Sequence, residues 1–503
     1  MKRSYRLACI LAALLTAPWL YAHVGSPDVF AEDYAGPYRL SIVLRPPRVI
    51  PGVADIEVRT ETPGVDSITI TPVPLTGEAA KHPPAPDTMT RPSRDTQFFT
   101  GHLWIMSTGS WKVQFVVHGG QGQGLLSIPL PATAMSTQRM QKSLGILLAI
   151  PGAFLLLGLV SIIGAAARKA TLLPGLEASR WDMRRGRIAT AIAVVILLAV
   201  VLFGNLWWNA EAEAYAGYIF KPLQISSALE QGNVLVLRLQ DPGWLPWRRT
   251  DDFIPDHNHL MHLYLVRWPQ MDVVFHLHPQ ATGAGEFQLA LPSLPSGDYH
   301  LYADVVHANG FPETLVSELV LPQIVGQPLT GDDAKGEGRP VGSRKSTAGT
   351  TEQRFRFPDG YTMVWQMPEL LVPGVPLSFR FELFDPNRKE PDDMALFMGM
   401  LGHAGFIKTD GTVFAHVHPE GTMAMAAYMV ANPHATMSGA NNPGAMKMDD
   451  MKKMDTSGVG LPNSVSFPYG FPSPGQYRIF VQMKHGGTIE TGIFDADVRG
   501  PKP

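Results

Sequence analysis

The chain contains a single cysteine, Cys9, among 503 residues. It lies inside a 22-residue leader, so the exported chain would carry no thiol. Disulfides and thiolate metal sites are excluded. So is a blue-copper centre, which requires a cysteine ligand. Charge is scarce too. Asp, Glu, Lys and Arg make up 17% of the chain and sum to about −3, so no basic field recruits nucleic acid. There is no Walker-type phosphate loop, no Gly-x-Ser-x-Gly elbow, no His-Glu-x-x-His and no Cys-x-x-Cys-His. Nucleotide hydrolysis, serine esterase chemistry, zincin proteolysis and covalent haem therefore have no support.

Glycine and proline, by contrast, are abundant, at 48 and 44, which suits short strands separated by turns. Residues 1–22 have the form of a secretory signal: Lys2, Arg3 and Arg6, an apolar stretch, then Leu20-Tyr21-Ala22 before a cleavage point. Residues 144–167 and 188–208 are uncharged and apolar. Each exceeds the ~18–20 residues needed to cross a bilayer. Between them Arg168, Lys169, Arg180, Arg184, Arg185 and Arg187 outnumber Glu177 and Asp182, which places this loop in the cytoplasm. Trp207 and Trp208 close the second run, where an outer aromatic belt belongs. With no ionisable residue in either run, a proton relay within the bilayer is not expected.

The expected fold is mainly β: three immunoglobulin-like sandwiches outside the membrane plus two transmembrane helices. The expected order is a signal peptide (1–22), an N-terminal sandwich (23–141), a first span (142–167), a basic cytoplasmic loop (168–187) and a second span (188–208). A first histidine-bearing module (209–325), a linker (326–351) and a second module (352–498), with a methionine-rich insertion at 420–460, follow. The expected location is the inner membrane, with most of the mass in the periplasm or outside the cell.

The two modules look like copies. His262 precedes His276-Leu-His278-Pro by 14 residues, and His403 precedes His416-Val-His418-Pro by 13. Later, His307 follows Tyr299 and His485 follows Tyr477, each by eight residues, and Glu-Thr comes soon after both. Alternate residues of a strand share a face about 6.5–7 Å apart, so each His-x-His pair can aim two imidazoles at one point. The expected metal ligands are therefore His262, His276, His278 and His307 in one copy and His403, His416, His418 and His485 in the other. Copper, zinc or iron would suit such a set. His257 and His259, unmatched in the second copy, are possible additions. The alternative is that His-x-His-Pro merely ends a strand.

The insertion holds Met423, Met425, Met446, Met448, Met451 and Met454 among glycine, asparagine, aspartate and lysine. Thioethers in so polar a stretch point to Cu(I) or to an adaptable contact surface. Cleavage after Ala22 would leave His23 as the first residue, with an amine and an imidazole for one Cu(II); His102 or His118 would complete three nitrogens. In this feature the chain resembles the periplasmic copper-resistance β-sandwich proteins. Its layout is also similar to bacterial envelope proteins with immunoglobulin-like modules, a likeness that implies no activity.

The function expected first is a membrane-anchored copper-binding protein for tolerance, storage or delivery to an exported cuproenzyme or membrane complex. One alternative is a metal-dependent envelope oxidase or hydrolase, although no second catalytic group is apparent. Another is an assembly protein without metal.

Overall fold

The computed structural model describes residues 28–138, 140–173, 175–340, 342, 344–345, 351–368, 370–433 and 460–500. The segment read as a signal peptide (1–22), His23 and most of the methionine insertion lie outside them. The chain divides into two compact units, residues 1–132 with 221–503, and residues 133–220.

The second unit is a helical hairpin, Lys142–Lys169 and Arg180–Ala216. At 1.5 Å per residue these helices run roughly 40 and 55 Å, against a hydrocarbon core about 30 Å thick. Their apolar side chains stand bare, with Phe154 75% and Phe203 70% exposed. Both helices are long and apolar enough to cross a membrane. The second begins inside the segment read as a loop. Ser179 caps it, accepting from the Asp182 amide while the Asp182 carboxylate accepts from the Ser179 amide. The helices touch through small residues: a Cβ on Gly164 would lie 2.2 Å from Thr190 Oγ1.

Among the described residues the first unit is all β apart from short helices. Its N-terminal sandwich packs the sheet Val29–Ala35, Tyr38–Arg45, Gly52–Thr60 and Phe98–Ile105 on the sheet Asp87–Thr88, Val65–Pro74, Gly109–Gly119 and Gly122–Ala132. Trp111, Val113, Phe115 and Val117 are buried, while Lys112, Gln114 and Val116 between them are half-buried. This is the period of a strand with one core face.

The first histidine module pairs a four-stranded sheet (Gln224–Glu230, Val234–Gln240, Gln280–Gly283, Glu286–Ala290) with a five-stranded one. The latter has the order Pro312–Leu321, Gly297–Val306, His262–Trp268, Val273–Leu277 and Ala334–Glu337. The last strand comes from the stretch read as linker and closes the sheet edge beside His276. In the second module one sheet is built around Thr362–Met367 and Leu377–Phe384. The other holds His403–Lys408 between Phe414–Val417 and Gly475–His485, with Thr488–Val498 beyond.

The strands carrying histidines differ from the rest. His262 to Val266, Val273 to Leu277 and His403 to Ile407 are buried at every position, so both faces are covered. Leu263, Leu265, Phe275 and Leu277 fill the first module's own core. Tyr264, Val266, Val274 and Tyr302, on the opposite face, belong to a core shared with Phe406, Phe414 and Phe480 of the second module. Tyr302 stacks on Phe414 with centroids 4.5 Å apart. A Cβ on Gly405 would come 3.1 Å from the Tyr264 ring. The two modules thus pack outer sheet face to outer sheet face.

Candidate metal centre

Register sets which side chains enter this interface. Opposed residues on antiparallel neighbours point to one face. Tyr264 lies opposite both His276 and Tyr302, and His262 opposite Asp304, so His262, His276, His278 and Asp304 share the outer face. In the second module Gly405 lies opposite His416 and Phe480, and His403 opposite Gln482, so His403, His416, His418 and Gln482 do the same. Face-to-face packing then merges the two sets. Eight of the chain's 16 histidines (257, 259, 262, 276, 278, 403, 416 and 418) form one continuous group between the modules.

Ligand atoms of His262, His276 and His278 lie within 4.8 Å of one another, and all three residues are buried. Hydrogen bonds already occupy most of their nitrogens. His262 Nδ1 is 3.1 Å from His276 Nε2, and His262 Nε2 is 3.0 Å from the Asp256 carbonyl. His276 Nδ1 is 2.8 Å from the Gln482 amide, and the Asp333 carboxylate accepts from His278 Nδ1 at 3.0 Å. A carbonyl only accepts, so neutral His262 donates from Nε2 and accepts at Nδ1. His276 then donates from Nε2 and accepts at Nδ1, which requires the Gln482 amide turned so that its nitrogen stands where Oε1 lies, 2.8 Å from the ring. His259 stacks on His278 at 3.8 Å and is tied to Asp332 at 3.2 Å.

The second trio is His257, His403 and His418, also within 4.8 Å of one another and buried. It joins both modules, since His257 comes from the first. His257 sits at φ 47° and Asn258 at φ 71°. Such left-handed conformations cost a non-glycine residue about 1–3 kcal/mol. The outer nitrogen of two rings is held: His257 donates to the Met398 backbone, and His418 Nδ1 donates to the Met423 carbonyl at 3.2 Å. The others are not. His257 Nε2, both nitrogens of His403, His418 Nε2 and the adjoining His416 Nε2 are buried with no hydrogen-bond partner among the described residues. Each such orphan costs about 1–3 kcal/mol unless something binds it. Backbone-anchored Nδ1 with free, converging Nε2 is the way proteins present imidazole to a metal.

Burial, then the neighbouring imidazoles, holds His262, His276, His403 and His416 well below the ordinary histidine range. Burial pushes His257 and His418 down to about 4. It also lowers His278, against the pull of Asp333. The rings are neutral at pH 7, the form that ligates. Asp256 and Asp304 lie beside them, both raised by burial, Asp304 to about 7. Asp256 also accepts from the Ala426 amide at 2.7 Å, at the start of the helix Met425–Ala431. Met423 is buried and Met425 half-buried there, so the insertion departs from the rim of the histidine group. Met446, Met448, Met451 and Met454 lie outside the described residues.

His307 and His485 do not join their expected companions, which corrects the quartet per module. His262 lies opposite Asp304 and His403 opposite Gln482. Three residues further on, an odd step along a strand, His307 and His485 fall to the other face. His307 Nδ1 bonds Asp252 at 2.7 Å and its Nε2 is 3.5 Å from Glu313, which Arg248 also holds. His485 stands among Asp359, Asp393 and Glu490. Burial, with Asp359 beside it, pushes Glu490 up to about 8. In the N-terminal sandwich His102 is exposed and paired with Asp55, and His118 is exposed on the other sheet.

Sequence reasoning missed Gln482, Asp333 and Asp304. It also missed that His257 serves the second module's histidines. Residues 251–262 and 392–403 align without a gap from Asp-Asp to His, which places Met398 opposite His257 in the repeat. Met398 and Gly399 adopt the same left-handed turn, at φ 51° and 81°.

A family model described only as a domain of unknown function (DUF8832) matches residues 355–500. That stretch holds His403, His416, His418 and His485 but not the first module or the helical hairpin. No curated protein matches. Among solved structures, the chain is similar to the tetra-tandem repeat in the extending region of a large adhesion protein (9% identity, 89% of this chain and 71% of that one, TM-score 0.16). It is similar to a bacterial ice-binding adhesin (7%, 90% and 91%, 0.14) and to the D1–D4 ectodomain fragment of ICAM-5 (9%, 92% and 78%, 0.15). At such scores the likeness says nothing about a site.

Proposed function

We propose that this chain is a membrane-anchored, extracytoplasmic metal-binding protein that holds copper between two face-packed β-modules. The observation that carries the reading is the set of five buried imidazole nitrogens on His257, His403, His416 and His418 that have no hydrogen-bond partner among the described residues. His257, His403 and His418 are the ligands, and His416 stands ready as a fourth or as a bridge toward the first trio. All-imidazole donors suit copper, zinc and iron, and among first-row divalent ions Cu(II) binds such a set most tightly. Thiol-free ligands also remain usable in an oxidising compartment.

The basic stretch between the two apolar helices supports a cytoplasmic turn and a periplasmic bulk at the inner membrane. Burial of the trio, with exposures of 7% or less, favours holding or handing over an ion rather than turning over a substrate. Tolerance, storage or delivery to an exported cuproenzyme would follow.

The test is metal content by mass spectrometry on the full chain in detergent, after exposure to equimolar copper, zinc and iron. About one equivalent of copper is expected, and it should be lost in His403→Ala and His418→Ala. Absence of metal, or metal indifferent to both changes, would sink the proposal. It would leave the histidines as a polar interface between modules, a role the His262–His276 bond at 3.1 Å fits.

A further inference from the structure

The repeat extends to a second, separate pair of places. Asp252 precedes His262 by ten residues and Asp393 precedes His403 by ten. His307 and His485, and then Glu313 and Glu490, also correspond. In each copy the aspartate faces Nδ1 of its histidine, at 2.7 Å in the first and 3.4 Å in the second. In each the glutamate faces Nε2, at 3.5 and 3.8 Å. The copies differ in what completes them. In the first, the buried Arg248 guanidinium sits on Glu313 at 3.1 Å and also pairs with Asp241. The corresponding position in the second copy is Lys389, an exposed residue whose charge acts on Asp385 instead. In place of a cation there is a further anion: Asp359 Oδ2 lies 3.7 Å from His485 Nε2.

We propose that Asp359, His485 and Glu490 form a divalent-cation site in the second module, where the first module seats the Arg248 guanidinium. Their ligand atoms lie within 4.8 Å of one another. His485 is 6% exposed, and its Nε2 is buried without a hydrogen-bond partner among the described residues. Asp393 holds the opposite nitrogen and fixes the tautomer that leaves Nε2 free, the usual second partner of a metal-bound histidine. Tyr361 stacks on the ring at 3.8 Å and fixes its plane. The Asp359 carboxylate is also anchored, accepting from the Tyr361 amide at 3.0 Å. Asp359 and Asp393 are 40% and 45% exposed, which leaves a way in from solvent and room for water ligands. Two carboxylates and one imidazole select an ion of manganese or zinc type, not the soft Cu(I).

Mn(II) is the discriminating probe, because it favours carboxylate oxygen over all-imidazole sets. Titration of the full chain in detergent, followed by the electron paramagnetic resonance signal of free Mn(II), should show about one ion bound. Asp359→Asn and Glu490→Gln should each weaken binding at least tenfold, while His418→Ala, on the other face of the sheet, should leave it unchanged. If Glu490→Gln does not fold, Asp359→Asn at a well-exposed position still decides, and its thermal melt reports folding directly. Failure of the wild-type chain to bind Mn(II), or undiminished binding by Asp359→Asn, would overturn the site. The copper measurement uses other residues and another ion, so either proposal can fail alone.

Discussion

The two histidine modules carry the same strands and the same three outer-face histidines, yet they use them in opposite ways. In the first module His262 and His276 bond each other, Asp256 and Gln482, and His278 bonds Asp333; among the described residues only His278 Nε2 lacks a partner. In the second, four of the six equivalent nitrogens lack one: both of His403, and Nε2 of His416 and His418. A satisfied imidazole chain is structural polar packing. An unsatisfied one is costly until it is bound. The two copies present the same three outer-face histidines, and differences at positions such as Gln482 and His257 leave one a hydrogen-bonded network and the other with unpartnered nitrogens among the described residues.

The comparison can be broken most severely at the metal. His403→Ala should abolish stoichiometric copper, whereas His262→Ala should retain most of it; equal loss in both, by mass spectrometry, would erase the distinction. Stability of the metal-free chain should show the reverse order. His276→Leu orphans His262 and Gln482 and should cost roughly 2–4 kcal/mol. His403→Leu breaks no hydrogen bond and should fall within about 1 kcal/mol of wild type or above it. Denaturant titration reads both, and a larger loss for His403→Leu would contradict the assignment.

Acid sharpens the same point. His257 and His418 are held near 4 in the fold against 6.5 unfolded, so between those values the unfolded chain binds protons that the fold excludes. The contribution of these two rings is therefore full above about pH 6.5 and falls as pH drops toward 4, while Asp304 and Glu490, raised to about 7 and about 8, act in the opposite sense. Thermal melts of the metal-free wild type and of His418→Ala across pH 4–7 isolate the ring: the difference, wild type minus variant, should rise with pH, and a constant difference would argue against a neutral, buried His418. The smallest effect is expected at His102→Ala: its side chain is 71% exposed, and neither copper content nor melting should change measurably.

Much of this was legible in the residues themselves. The apolar runs at 144–167 and 188–208 became two helices long enough to cross a membrane, because spanning length and lack of charge are local properties. The turn-punctuated strands became antiparallel sandwiches. His276 and His278, and likewise His416 and His418, share a face as an i, i+2 spacing requires. Recurrence in the repeat grouped His307 and His485 with them, but recurrence carries no information about which face a side chain takes. Only the pairing of His262 with Asp304 and of His403 with Gln482 fixes the parity. The uninterrupted burial of His262 to Val266 also had a sequence signal: apolar or aromatic side chains at both parities, which mark a strand covered on two sides.

The sequence by itself determined which residues could serve: histidines repeated in two copies, a single cysteine, Cys9, remote from them in sequence, and two apolar stretches long enough to cross a membrane. Only the tertiary structure decided that the two sets meet. Sheet faces are chosen by local alternation, but which face packs on which depends on shape and on contacts between residues far apart in the chain. Tyr264 over Gly405 and Tyr302 on Phe414 are such contacts. Through them His257 reaches His403 and His418, some 150 residues away in sequence, and a site that neither module holds alone is assembled.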